Sequence, residues 1–104
     1  MNINERVKIA VLMKYYGKLL TDKQRKAVVM YVDNNLSLAE VSEELNISRQ
    51  AVKNALDTAF NALNRFEIEL QFISRDDKIK EFINNSKLID VTTKLQLLSI
   101  LEDN

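Results

Sequence analysis

Apolar residues recur along this chain at steps of three and four, and nowhere in the strict alternation of a half-buried strand. Val7, Ala10, Val11 and Tyr15 keep that spacing, and Ile9, Leu12, Met13 and Tyr16 widen their face. They predict a helix from about residue 4 to 18, with Gly17 as its stop. Thr21 followed by Gln24 has the spacing of a capping box and opens a second helix. Ala27, Val28, Met30, Tyr31 and Val32 form its core face, and Asp33-Asn34-Asn35 ends it. Ser37 and Glu40 repeat the device for a third helix, which turns Leu38, Val41 and Leu45 inward and Glu40, Glu43 and Glu44 outward.

The strongest pattern comes next. Ser48 caps a helix in which Val52, Leu56, Ala59, Leu63, Phe66, Leu70 and Ile73 recur at alternating steps of four and three. A helix from Val52 to Ile73 is roughly 30 Å long at about 1.5 Å per residue. Its first half suits the core of a small domain, and its second half projects and needs cover. That cover is either the leucine-rich C-terminal segment or the same helix of a second copy. The homodimer reading places Leu63, Phe66, Leu70 and Ile73 at the interface. Ser74 is a candidate break. A short helix follows around Ile79, Phe82 and Ile83, then an apolar patch from Leu88 to Val91, then a last helix carrying Leu95, Leu97, Leu98, Ile100 and Leu101.

Between the third and fourth helices lies "LNISRQAV", the spacing of a helix-turn-helix. Ser42 takes the close-contact position and Asn46 the turn, since asparagine tolerates the left-handed conformation. Ile47 plugs the space beneath, and Val52 anchors the second helix. The exposed residues that open that helix, Arg49, Gln50, Lys53 and Asn54, suit guanine, adenine and phosphate contacts. They equally suit a plain solvated surface. Lys23, Arg25 and Lys26 are candidates for phosphate contacts from the preceding helix.

Charge qualifies this picture. The 104 residues carry 15 basic and 15 acidic side chains. Residues 1–35 hold seven basic and three acidic residues, whereas residues 36–73, which contain the motif, hold three basic and six acidic. Phosphate contacts dominate nucleic-acid affinity, so tight binding requires the N-terminal cations to border the motif.

Composition narrows the chemistry. There is no cysteine, no histidine and no proline, and Gly17 is the one glycine. Thiol nucleophiles, sulfur- or imidazole-ligated metals and glycine-rich phosphate loops are thereby excluded. Adjacent carboxylates such as Glu43-Glu44 and Asp76-Asp77 point in different directions on a helix. The expectation is a protein that is not an enzyme and needs no cofactor. The apolar run Ile9–Met13 is too short for a membrane span or a secretory signal, which predicts a cytoplasmic protein without membrane insertion.

Tyr15 to Leu56, "YYGKLLTDKQRKAVVMYVDNNLSLAEVSEELNISRQAVKNAL", resembles the YlxM family of small bacterial helix-turn-helix proteins, itself similar to region 4 of sigma factors. The marking elements are "YYGKLLTDKQ", "LSLAEVSEELNISRQAV" and a length near one hundred residues. The likeness extends over about the first 70 residues and is only general beyond. It implies an all-α fold, a sigma-like module with a helical extension, compatible with a dimer. It also implies a link to the signal recognition particle, through that particle's RNA or protein. Where family members tend to carry an aromatic residue and then a more basic stretch, this chain reads Lys53-Asn54-Ala55-Leu56-Asp57, with less positive charge.

The resulting expectation is an all-α protein with a helix-turn-helix domain over 1–73, ending in a long helix, and a helical C-terminal segment over 74–104. Its function would be DNA or RNA binding in a regulatory role. The alternative is a protein-interaction module that uses the same fold without reading nucleic acid.

Overall fold

The computed structural model describes residues 1–102, and within them there are six α-helices and no strand. They are α1 (Ile3–Tyr16), α2 (Asp22–Val28), α3 (Leu38–Leu45), α4 (Arg49–Leu70), α5 (Phe72–Asn85) and α6 (Val91–Glu102). The all-α helix-turn-helix architecture expected from the spacing is what the chain adopts.

Local signals place most boundaries. Thr21 and Gln24 exchange both capping-box hydrogen bonds, and so do Ser37 and Glu40. The Ser48 hydroxyl accepts from the Ala51 N–H at 3.0 Å, and Asp90 Oδ1 accepts from the Thr93 N–H at 2.6 Å. Each bond satisfies a helix-end donor that would otherwise lack a partner. α2 ends differently from expectation. Instead of continuing as an α-helix to Val32, it widens into a π-helical turn over Val29–Asp33. The Asn34 N–H then bonds to the Val29 carbonyl, five residues back. Arg6 of α1 holds this turn, donating to the Val32 carbonyl at 2.8 Å and to Asn35 Oδ1 at 2.9 Å.

α4 is the axis of the molecule and packs against α1, α2 and α3. Val52, Leu56, Ala59 and Leu63 of its stripe are buried with Ala27, Val28 and Val32 of α2 and its π turn, Val41 of α3, and Ile9, Leu12 and Tyr16 of α1. Two expectations change here. The inward face of α1 is Ile9, Leu12 and Tyr16, whereas Val7, Ala10 and Val11 are exposed. α1 is apolar around most of its circumference, so its own pattern does not choose a face; the packing against α4 does. The stripe of α4 is covered by the N-terminal helices rather than by the C-terminal leucines. Leu63 is wholly enclosed in this single-chain core, so it is unavailable to a second copy. Phe66 is half-buried beside the Tyr16 ring, with ring centroids 6.0 Å apart, and Leu70 remains exposed.

The long helix stops at Leu70, before the expected break at Ser74. Gln71 adopts the left-handed conformation (φ 57°, ψ 30°), and α5 starts at once. Gln71 offers α5 no side-chain cap. Its first-turn N–H groups are satisfied from elsewhere. The Tyr16 hydroxyl accepts from the Phe72 N–H at 3.1 Å, and the Glu67 carboxylate accepts from Ile73 at 3.0 Å and Ser74 at 3.2 Å. Tyr16 in turn donates to Glu67 Oε1 at 2.5 Å. Burial, and then this bond to Glu67, raise the Tyr16 pKa, so the phenol stays protonated and able to donate. The neighbouring Tyr15 hydroxyl donates to Asp76 Oδ2 at 2.8 Å, and Arg75 pairs with the other oxygen of that buried carboxylate at 3.2 Å.

The bond from Tyr15, assisted by Arg75, holds the Asp76 pKa below the usual carboxylate value. A depressed folded-state pKa contributes stability that is complete above the unfolded-state value and is lost as pH falls through the folded-state value. Tyr15→Phe should therefore cost about 1–3 kcal/mol at neutral pH and reduce the loss of stability on acidification below about pH 4. Urea midpoints of wild type and variant at pH 7 and pH 3 check this; an unchanged difference between the two pH values rejects the role of Tyr15.

Candidate nucleic-acid interface

The turn between α3 and α4 is built by the backbone. Asn46 sits at φ 54° and ψ 47°, and its N–H bonds to the Glu43 carbonyl. The Ile47 N–H reaches the Ser42 carbonyl at 3.1 Å. These are the paired closing bonds of a Schellman motif, and they let the chain reverse in a few residues. Ile47 then packs against the core and Val52 is completely buried, which sets the angle at which α4 leaves. The Ser42 hydroxyl bonds back to the Ala39 carbonyl at 2.7 Å, leaving a small side chain where the helices approach.

This geometry leaves Arg49, Gln50, Lys53 and Asn54 exposed on the first turns of α4. Gln50 donates to Asn54 Oδ1 at 3.0 Å, so the two amides form one polar pair. Among the described residues, Arg49 and Lys53 have neither an ion pair nor a side-chain hydrogen bond, and their charges are free to meet an external anion.

The N-terminal cations divide into groups. Lys23 lines a shallow depression with Gln24 from α2 and Asn54, Ala55 and Thr58 from α4, which brings one positive charge beside the exposed α4 face. Arg25 and Lys26 are both engaged by Asp22, at 2.8 Å and 3.0 Å. The contact with Lys26, followed by that with Arg25, lowers the Asp22 pKa and keeps it ionised near neutral pH. Lys14 and Lys18 flank Arg75 at the far end of α4, beside the α4–α5 bend. Arg6 is committed to the π turn. Of the seven cations in residues 1–35, Lys23 is the one that the structure joins directly to the motif without an acidic partner.

On the acidic side, Glu40 is occupied in its capping box, where the Ser37 N–H lowers its pKa. Glu43 and Glu44 are exposed on α3. No group of three or more His, Cys, Asp or Glu residues able to hold a metal ion occurs among the described residues. No helix among them is long and apolar enough to cross a membrane.

Sequence reasoning overlooked the fastening of α5 by Tyr15, Tyr16, Glu67 and Asp76. Two adjacent tyrosines in a helix destined for the core were the available signal, because a buried phenol needs a hydrogen-bond partner. Glu67 lies 51 residues from Tyr16 and gave none.

Known proteins match this sequence over most of its length. The family model described as "Putative helix-turn-helix protein, YlxM / p13 like" covers residues 3–100. The chain is 39% identical over 85 residues to the UPF0122 protein MYPE4850 of Malacoplasma penetrans, covering 79% of each chain. It is 34% identical over 93 residues to the UPF0122 protein of Clostridium kluyveri, covering 89% of this chain and 82% of the relative. It is also 42% identical over 79 residues to the UPF0122 protein Teth514_1714 of Thermoanaerobacter sp., covering 76% and 68%.

The capping geometry makes one expectation measurable. Ser48→Ala removes the acceptor for the Ala51 N–H and should destabilise the domain by about 1 kcal/mol, with faster amide exchange confined to the first turn of α4. Uniform loss of protection along α4 would show that the cap is not a local contribution.

Proposed function

The chain belongs to the UPF0122 family of YlxM/p13-like helix-turn-helix proteins, and from that premise we propose that it is a non-enzymatic regulatory protein that binds DNA or RNA. Arg49, Gln50, Lys53 and Asn54 contact bases, and Lys23, Arg25 and Lys26 contact phosphates. The observation that carries this reading is the pair of unpartnered cations, Arg49 and Lys53, on the exposed start of α4, with Lys23 across a depression from Asn54. Residues 1–73 form the binding module and 74–104 an appended segment. The protein works in the cytoplasm, and two copies acting together would engage two sites on one nucleic acid. The family resemblance makes the signal recognition particle's RNA the first ligand to test and its protein component the second.

Exposed Glu43 and Glu44 beside the motif favour the other reading, a module that docks on a protein. Salt separates the two. Each phosphate contact contributes about 0.9 to the slope of log affinity against log salt for duplex DNA. Binding to DNA or to the particle's RNA should weaken steeply as salt rises, and Lys23→Ala should lower the slope by about one. Arg49→Ala with Lys53→Ala should weaken binding tenfold or more, since a good base contact is worth about 1–3 kcal/mol. Absence of binding to either nucleic acid at low salt rejects the proposal. Unchanged affinity in the double variant rejects the assigned face. Asp22→Asn should strengthen binding by releasing Arg25 and Lys26.

A further inference from the structure

A depression of about 220 Å³ lies beside the α4–α5 bend, lined by Lys14, Tyr15, Lys18, Phe72, Arg75 and Asp76. Lys14 comes from the last turn of α1, and Lys18 from the short 3-10 turn Gly17–Leu19 that follows it. Both are exposed, and among the described residues neither has an ion pair or a side-chain hydrogen bond. Arg75 donates from Nε and Nη2 to Asp76 Oδ1, at 3.3 Å and 3.2 Å, which leaves its Nη1 amino group without a partner among the described residues. Its side chain is 64% exposed, and the guanidinium carbon stands 5.2 Å from the centroid of the Phe72 ring. That ring is held in place by Tyr16, stacked at 6.1 Å with 24° between the planes. A fixed aromatic ring and a guanidinium plane are thus presented together, next to two unpaired lysines.

We propose that this depression binds one nucleotide of a single-stranded nucleic acid, with Lys14 and Lys18 on the phosphate and the base against Arg75 and Phe72. Charge is the first observation. Three cations line the depression against one carboxylate. That carboxylate, Asp76, is 3% exposed, and its two oxygens are occupied by Tyr15 and by Arg75. It orients Arg75 instead of meeting a ligand. Glu67, the other carboxylate at the bend, is taken up by Tyr16, Ile73 and Ser74. Asp77 follows Arg75 by two residues, about 200° round the helix, and does not line the depression. Lys80 lies close enough to Asp76 to add to the positive potential. The flat surface beside the cations is the second observation. A lone phosphate or an acidic peptide would use the lysines and leave Phe72 and the guanidinium plane idle. A nucleotide uses both, since every base has a π face that stacks on aromatic rings and on arginine. A duplex keeps its bases stacked inside, so the ligand is a single strand. The site is separate from the Arg49–Asn54 face, and it does not depend on that face binding nucleic acid.

The full chain carrying Arg49→Ala and Lys53→Ala isolates this site from the α4 face. Fluorescence anisotropy at low salt, with a labelled thymidine strand of about ten nucleotides, should show binding by that chain. Adding Lys14→Ala and Lys18→Ala should weaken it about tenfold or more and lower the slope of log affinity against log salt by roughly 1.4, about 0.7 for each lost contact to a single strand. Lys87→Ala, on the connection between α5 and α6, should change affinity less than about twofold. A strand of the same length without bases should bind about fivefold or more weakly. Arg75→Lys, which keeps the charge and loses the plane, should reduce that preference for bases. Circular dichroism and Tm unchanged by Lys14→Ala and Lys18→Ala separate lost binding from lost folding. Absence of binding by the Arg49→Ala, Lys53→Ala chain, or affinity that Lys14→Ala with Lys18→Ala leaves unchanged, overturns the proposal. Equal binding of the base-free strand overturns the nucleotide assignment and leaves a phosphate contact only. Thymidine monophosphate that displaces the strand at equal nucleotide concentration assigns the site to a free nucleotide and overturns the strand. Failure of the wild type to bind duplex DNA bears on the α4 face and leaves this site standing.

Discussion

At the start of α5, the N–H groups of Phe72, Ile73 and Ser74 have no partner within their own helix, and two side chains from elsewhere in the chain accept all three bonds. Glu67 takes two and Tyr16 takes one, while Tyr16 donates its own proton to Glu67. This closed circuit permits α4 to stop at Leu70 and α5 to begin two residues later, with a glutamine in a left-handed conformation that glutamine seldom adopts. The negative charge of Glu67 lies at the positive end of the α5 dipole, which strengthens the arrangement. The ring of Tyr16 meets Phe66 and Phe72 on either side of the bend, at 6.0 Å and 6.1 Å between centroids. One buried phenol thus ties α1 to α4 and both to α5, and the direction of the C-terminal hairpin follows from it.

α1 is fixed at one end to the π turn after α2 through Arg6, and at the other to α5 through Tyr15 and Tyr16. α2 lies along α4 with Ala27 and Val28 buried in the shared core, and Lys23 lines the same depression as Asn54.

Much of this was legible from residue order alone. Every helix start except that of α5 carried a serine, threonine, aspartate or asparagine at the cap, and the Ser37–Glu40 and Thr21–Gln24 pairs formed both expected bonds. Asn46 took the left-handed turn for which asparagine is suited. Val52, Leu56, Ala59 and Leu63 of the α4 stripe entered the core. These features depend on neighbours three or four residues apart, so a reading of local spacing reaches them. The α5 start had no such residue, because its caps come from Tyr16 and Glu67, and the break was accordingly placed at Ser74 instead of Gln71.

The sequence by itself determined the helical character of the chain, the caps of α2, α3 and α4, the sharp turn between α3 and α4, and the exposed character of Arg49, Gln50, Lys53 and Asn54. Those are consequences of periodicity and of side chains bonding to nearby backbone. Tertiary structure decided which face of α1 turned inward, that Leu63 belongs to one chain's core, and that Lys23 among the N-terminal cations stands unpaired beside the motif. It also decided that Val91, Leu95 and Ile100 of α6 stay exposed. These depend on which surfaces meet across tens of residues, and a helix with apolar residues on several sides, such as α1, carries no local preference for one face over another.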